Sequence, residues 1–240
     1  RLGNDVLGQQ TMEVFRKEGM KTDYITLDDK AASGVALSSV DSKAENCIVV
    51  ASGANMTFSE ADIDRVEKEM YEGDILLLQL EIPVATVAYA ARKAYEKGLK
   101  VILNPAPAQA LPESLFEHLY MITPNRIEAE MLTGVSISSD EDAVRAAEAL
   151  CKKGVKNVII TLGSDGCLVM EDGRAYRVEA NKVTPVDTTA AGDTFNGALC
   201  VGIAEDMTLE QAVRFASKAS SIAVTRMGAQ SSIPYRKELD

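Results

Sequence analysis

Up to residue 51 the apolar residues of this chain mostly alternate with polar ones; from residue 59 the rhythm changes to short unbroken apolar runs separated by amphipathic stretches. Val6, Leu7, Met12, Val14 and Phe15, set among polar neighbours, predict an amphipathic helix over residues 6–18 that Gly19 stops. Residues 24–26, 34–40 and 46–51 read as short strands, with the polar stretch 41–45 as a hairpin turn between the last two. Such alternation suits a sheet with one face in water.

The later rhythm is different. Ser59 caps a predicted helix reaching about Glu72, ahead of a buried strand over residues 74–80. Pro83 fits the first turn of a helix running to Lys97, with Gly98 behind it. Residues 100–104 form the next strand, and a short helix near 112–118 precedes a strand over 119–122. Pro124 and Asn125 open a helix through Leu132 that Gly134 closes, and Asp140 caps one reaching Lys153. A strand over 157–161, a hairpin of 167–170 with 174–178, and helices over 192–205 and 209–225 complete the chain. Helices alternating with continuous apolar strands predict an α/β fold, a three-layer sandwich with a central, mostly parallel sheet. Residues 1–240 are read as a single unit of this kind.

Composition narrows the partners. The 240 residues, 46% of them hydrophobic, suffice for a buried core. A net charge of -11 without a basic run argues against nucleic acid or an anionic membrane as partner. No apolar run approaches the length of a membrane span. Cys47, Cys151, Cys167 and Cys200 contain no C-x-x-C, which implies the reduced thiols of a cytoplasmic protein. His118 is the only histidine and falls in a short surface helix, which sets aside histidine-centred triads and histidine-rich metal sites. The chain opens at Arg1-Leu2-Gly3-Asn4-Asp5, as if in mid-loop, so an N-terminal segment is expected to be missing.

Candidate chemistry centres on residues 186–199, where Asp187 and Asp193 flank Ala190, Ala191 and Gly192 just before an apolar helical run. A helix starting there points bare amides and its positive dipole end at a ligand, an arrangement suited to phosphate. Asp193 reads either as a base for an attacking hydroxyl or as a plain helix cap. Parallel α/β sheets bind ligands at the carboxyl ends of their strands. Glu81, Asn104, Thr123 to Glu128 and Thr161 to Gly166 each follow such a strand, so they should share one edge with the 186–199 stretch. There is no G-x-x-x-x-G-K-[ST] and no G-x-G-x-x-G, which removes a P-loop and weakens a dinucleotide enzyme.

Asp187-Thr188-Thr189-Ala190-Ala191-Gly192-Asp193-Thr194-Phe195 resembles the C-terminal signature of the PfkB carbohydrate kinase family. The stretches 104–108, 123–134, 161–166 and 223–230 resemble its ribokinase branch, in the same order along the chain. The resemblance implies ATP-dependent phosphorylation of D-ribose at O5, with Asp193 as base and the amides of Ala190, Ala191 and Gly192 as anion hole. It implies that Asn125 and Glu128 arrange Mg²⁺, its waters and the phosphates. Thr161, Leu162, Gly163, Ser164, Asp165 and Gly166 would form the nucleotide loop with Ser217 by the adenine, and Glu81 would contact ribose. Asp187, Thr189, Ala223, Arg226, Gly228 and Ser232 match loops that bind an activating K⁺, largely through carbonyls.

The departures matter as well. The family's first strand with its sugar-binding Asp, and its Gly-Gly-Lys-Gly-Asn stretch, have no counterpart here, so this segment alone is expected to be inactive. Residues 34–51 would be the remaining strands of a small β lid through which the full-length protein forms a homodimer. Another PfkB-type kinase, acting on fructose, a nucleoside or a keto-deoxy sugar acid, and a non-catalytic nucleotide-binding module both stay open.

Overall fold

Leu2–Gly3 (β1) enters the helix Val6–Lys17 (α1), whose N-cap Asp5 accepts from the Gly8 N–H at 2.8 Å. The structure, a computed structural model, describes residues 1–40 and 46–239. The strand expected at 24–26 lies at Leu27–Asp28 (β2), in parallel register with β1. Asp28 turns the chain there, its carboxylate accepting from the N–H groups of Lys30 and Ala31. Val35–Val40 (β3) and Asn46–Ala51 (β4) pair antiparallel as a separate two-stranded sheet. The turn expected at 41–45 lies outside the described residues. Leu37, Val49 and Val50 of this sheet are exposed.

The helix expected to reach Glu72 is shorter: Glu60–Val66 (α2) gives way to a 3₁₀ turn at Glu67–Glu69. Glu67, Glu69 and Glu72 would stack negative charge against the negative end of its dipole, which disfavours further turns. Ile75–Leu78 (β5), Val84–Glu96 (α3), Lys100–Leu103 (β6), Glu113–Phe116 (α4) and Met121–Ile122 (β7) follow. Arg126–Thr133 (α5) ends on left-handed Gly134, as its sequence predicts. Asp140–Lys152 (α6) is capped by Ser139 rather than by Asp140. The reason is reciprocal: Ser139 accepts from the Asp142 N–H, and Asp142 accepts from the Ser138 and Ser139 N–H groups. Asn157–Thr161 (β8), Cys167–Glu171 (β9), Arg174–Val178 (β10), Ala191–Ala204 (α7) and Leu209–Ala223 (α8) complete the order. Asp172 and Gly173, both at positive φ, make the tight turn between β9 and β10.

The main sheet has six strands in the order β10-β9-β8-β7-β6-β5; β5 to β8 are parallel, and β9 and β10 are antiparallel. Alternation along each strand sorts side chains between two cores. Leu76, Leu78, Val101, Leu103, Ile122, Val158 and Ile160 pack towards α3, α5 and α6. Ile75, Ile102, Met121 and Ile159 pack towards Phe195, Leu199 and Ile203 of α7 and Val213 of α8. The result is a three-layer α/β sandwich with a central, mostly parallel sheet, as the alternating elements predict. Burial pushes the thiols of Cys167 and Cys200 up to about 12 and about 11, so both stay protonated. Among the described residues no helix is long and apolar enough to cross a membrane.

Hydrogen bonds from Ser138 and Ser139 hold the Asp142 carboxyl down at about 2. A depressed carboxyl stabilises the fold above its unfolded value and loses that contribution as pH falls through the folded one. Asp142→Ala should therefore lower the thermal midpoint at pH 7, and the gap to the parent chain should close between about pH 4 and pH 2, read by calorimetry across that range.

Candidate functional site

Four parallel strands end on one edge, and the segments leaving them are tied together there. The Asn104 N–H donates to Leu78 O (2.9 Å), Thr123 N–H to Leu103 O (2.9 Å) and Thr161 N–H to Pro124 O (2.9 Å). Side chains extend this link towards α7: Asn104 Nδ2 donates to Thr123 O at 3.3 Å, and the Thr123 hydroxyl to Asn196 Oδ1 at 2.7 Å. Asn196 Nδ2 then donates to Gly192 O at 2.9 Å. All three polar side chains are buried, so the first turn of α7 is pinned to the sheet from inside.

That turn starts from Ala190, which sits in the left-handed region (φ 58°, ψ 14°) and offers no side-chain cap. Thr194 N–H reaches Ala190 O at 2.9 Å, while Ala191 N–H meets Thr188 O only at 3.3 Å. Among the described residues the N–H groups of Gly192 and Asp193 have no acceptor. Asp193 does not cap the helix; it lies three positions inside it, exposed, and Gln79 Nε2 donates to its Oδ1 at 2.7 Å. Bare amides and a held carboxylate thus face the same solvent-open space.

Beside them lies a cleft of about 570 Å³. It brings Thr161, Gly163, Ser164 and Gly166 of the loop after β8 together with Ala191, Gly192 and Ser217. Gly166 (φ 82°) could not be otherwise, since a Cβ there would lie 2.1 Å from Val178 O. Leu162 and Asp165, expected in the same loop, line a neighbouring cavity of about 430 Å³ instead, where Arg126 pairs with Asp165 at 3.6 Å. Asn125 and Glu128 form a reciprocal cap on α5, with Glu128 Oε2 accepting from the Asn125 N–H at 2.8 Å. Burial pushes the Glu128 carboxyl up, against the pull of that hydrogen bond. Glu81 stands exposed two residues beyond Gln79.

Behind the anion-facing turn, Asp187 ties two loops. Its Oδ1 accepts from the Thr189 N–H (2.9 Å) and hydroxyl (2.6 Å), and its Oδ2 from the Gly228 N–H (2.9 Å). These bonds hold its carboxyl below the ordinary range. Ala223 and Ser232 are buried on the adjoining segment, while the Arg226 guanidinium turns away to pair with Glu238. Among the described residues no cluster of three or more His, Cys, Asp or Glu is arranged around a metal position.

The profile of the pfkB family carbohydrate kinases matches residues 1–236. A ribokinase of Haemophilus influenzae is 42% identical over 237 residues, covering 99% of this chain and 78% of that protein. The chain belongs to the pfkB family of carbohydrate kinases. The solved ribokinase of Thermotoga maritima superposes with a TM-score of 0.89 at 38% identity, over 99% of this chain and 77% of its own. The Arabidopsis thaliana ribokinase complexed with ribose and ATP gives 0.91 at 31% identity, over 100% and 78%. A pfkB-family, ribokinase-type enzyme transfers phosphate to a sugar hydroxyl, and the uncapped turn of α7 beside a cleft has the geometry for handling such an anion.

Two residues of this candidate site escape a linear reading of the chain. Gln79 is a polar residue at the end of the apolar run 75–80, and Asn196 one in the apolar run of α7, four positions after Gly192. Each breaks a hydrophobic pattern, which is the signal that could have found it. Asn196→Ala should cost about 1–3 kcal/mol of stability by urea unfolding, because the buried Thr123 hydroxyl is left with only the long 3.4 Å contact to Leu103 O and Gly192 loses its anchor.

Proposed function

We propose that the protein to which this chain belongs catalyses ATP-dependent phosphorylation of D-ribose at O5, giving ribose 5-phosphate and ADP. The observation that carries this is Asp193, held at the bare start of α7 next to the cleft, in a chain 42% identical to a ribokinase. Asp193 accepts the proton of the O5 hydroxyl as that oxygen bonds to the γ-phosphorus. The bond from the γ-phosphorus to the bridging oxygen of ADP breaks, ADP leaves with those electrons, and the proton passes from Asp193 to solvent. Of the amides expected at Ala190, Ala191 and Gly192, that of Ala191 is turned to Thr188 O at 3.3 Å, so the amides of Gly192 and Asp193 would face the charge spread over the transferring oxygens, where such catalysis gains most. Thr161, Gly163, Ser164, Gly166 and Ser217 line the space for the nucleotide, and Glu81, exposed two residues beyond Gln79, would meet a sugar hydroxyl.

The cation assignments rest on donor chemistry. Glu128 is a buried carboxylate with no cationic partner among the described residues, which suits a hydrated Mg²⁺. When bound, that ion would neutralise phosphate charge. Asp187 and the carbonyls of Thr189, Ala223, Arg226, Gly228 and Ser232 offer hard oxygen atoms, which suit K⁺. Such a cation would stiffen the loop that leads into Ala190.

With ribose, fructose, adenosine and 2-keto-3-deoxygluconate offered in parallel, ADP release from the full protein should be fastest with ribose; no ribose-dependent release would refute the assignment. Asp193→Asn should reduce turnover by about 10²-fold or more while ATP binding by calorimetry is kept. Glu128→Gln can still cap Asn125, so its thermal midpoint at neutral pH should not fall, whereas the Mg²⁺ concentration giving half-maximal turnover should rise. An unchanged Mg²⁺ requirement would remove Glu128 from that role.

A further inference from the structure

Gln79 is the one side chain in the described structure that holds the Asp193 carboxylate, yet it lies 114 residues away on another element. Its position follows from strand parity. Leu76, Leu78 and Leu80 point into the core beneath α3, and Ile75 points into the core beneath α7. Gln79, sharing parity with Ile75, therefore faces α7 where β5 has just ended. An apolar residue there would continue the pattern of the run; the glutamine breaks it at the point where the carboxylate arrives. A carboxylate only accepts, so the amide NH₂ must face it, and at 2.7 Å this is a short, charge-assisted contact.

We infer that Gln79 is a positioning residue for phosphoryl transfer. Resting on the assignment of Asp193 as base, it holds Oδ1 and thereby leaves Oδ2 as the oxygen presented to the sugar hydroxyl. Asp193 is exposed and on the first turn of a helix, so its χ1 and χ2 would otherwise be free to turn the carboxylate towards water. The Asn196 link fixes the backbone of the same turn at Gly192, so backbone and carboxylate are held by separate devices from separate strands. The proton of the hydroxyl passes to Oδ2, and Gln79 neither gains nor loses one.

The test is a double-mutant cycle on the full protein, using Gln79→Met, which keeps the length and removes the amide, and Asp193→Ala. Gln79→Met should lower kcat about 10- to 100-fold, the size expected for a misplaced reacting group, with KM for ATP and the thermal midpoint unchanged. In the Asp193→Ala background the same change should have no further effect, since Gln79 acts only through the carboxylate. Wild-type kcat in Gln79→Met would overturn the proposal, as would an equal further loss in the Asp193→Ala background. Where Asp193→Ala turnover falls below detection, the kinetic split decides: a loss confined to KM for ribose makes Gln79 a sugar contact and overturns the positioning role. Normal turnover in Asp193→Ala would instead overturn the base assignment itself, an outcome distinct from any failure of Gln79.

Discussion

At the start of α7 the chain leaves the N–H groups of Gly192 and Asp193 without acceptors, because Ala190 holds the N-cap position and has no side-chain oxygen to offer. Serine or aspartate there would satisfy the helix and cover the free amides. Ala190 also occupies a left-handed conformation that costs about 1 kcal/mol or more for a residue with a Cβ. The fold tolerates both because the turn is held elsewhere. Asn196 grips Gly192 from beneath, Ser220 of α8 donates to Ala191 O at 2.9 Å, and Asp187 braces the incoming loop against Gly228.

The sheet converts this local arrangement into a site. Parallel strands β5 to β8 deliver Gln79, Asn104, Thr123 and Thr161 to one edge, and alternation decides which of them face α7. The antiparallel β9 and β10 then return the chain so that the loop after Val178 forms the far wall of the cleft. Kinase chemistry of this type needs positioning and a preorganised field more than reactive side chains. In the function proposed for this protein, a rigid sheet edge and a bare helix end would provide both.

Much of this was legible in the residues. The βα rhythm foretold the layers and nearly every helix, and the residues after the strands marked the sheet edge on which those segments gather. Ribokinase-like motifs in order along the chain foretold the family that the profile match and the H. influenzae ribokinase show. What escaped was tertiary. Ser139 displaces Asp140 as a cap because Asp142 can answer it, a pairing visible only once the turn is formed. The strand expected at 24–26 moved to Leu27–Asp28 because the partner β1 spans only two residues before Asp5 starts a helix. Gln79 and Asn196 were hidden because their partners lie 114 and 73 residues away, distances over which no periodicity carries information. Leu162 and Asp165 turned to a second cavity because the two sides of a tight loop face opposite ways.

If the bare first turn of α7 is where the transferring phosphate sits, its free amides must respond to that group and to nothing else on the nucleotide. Amide NMR shifts of Gly192 and Asp193 should be compared in the full protein with ADP and ribose, before and after adding tetrafluoroaluminate to stand in for the transferring phosphoryl. Large shifts at both amides on that addition are expected. Shifts confined to Gly163 to Gly166, with Gly192 and Asp193 unmoved, would contradict the placement of the reaction at this helix end.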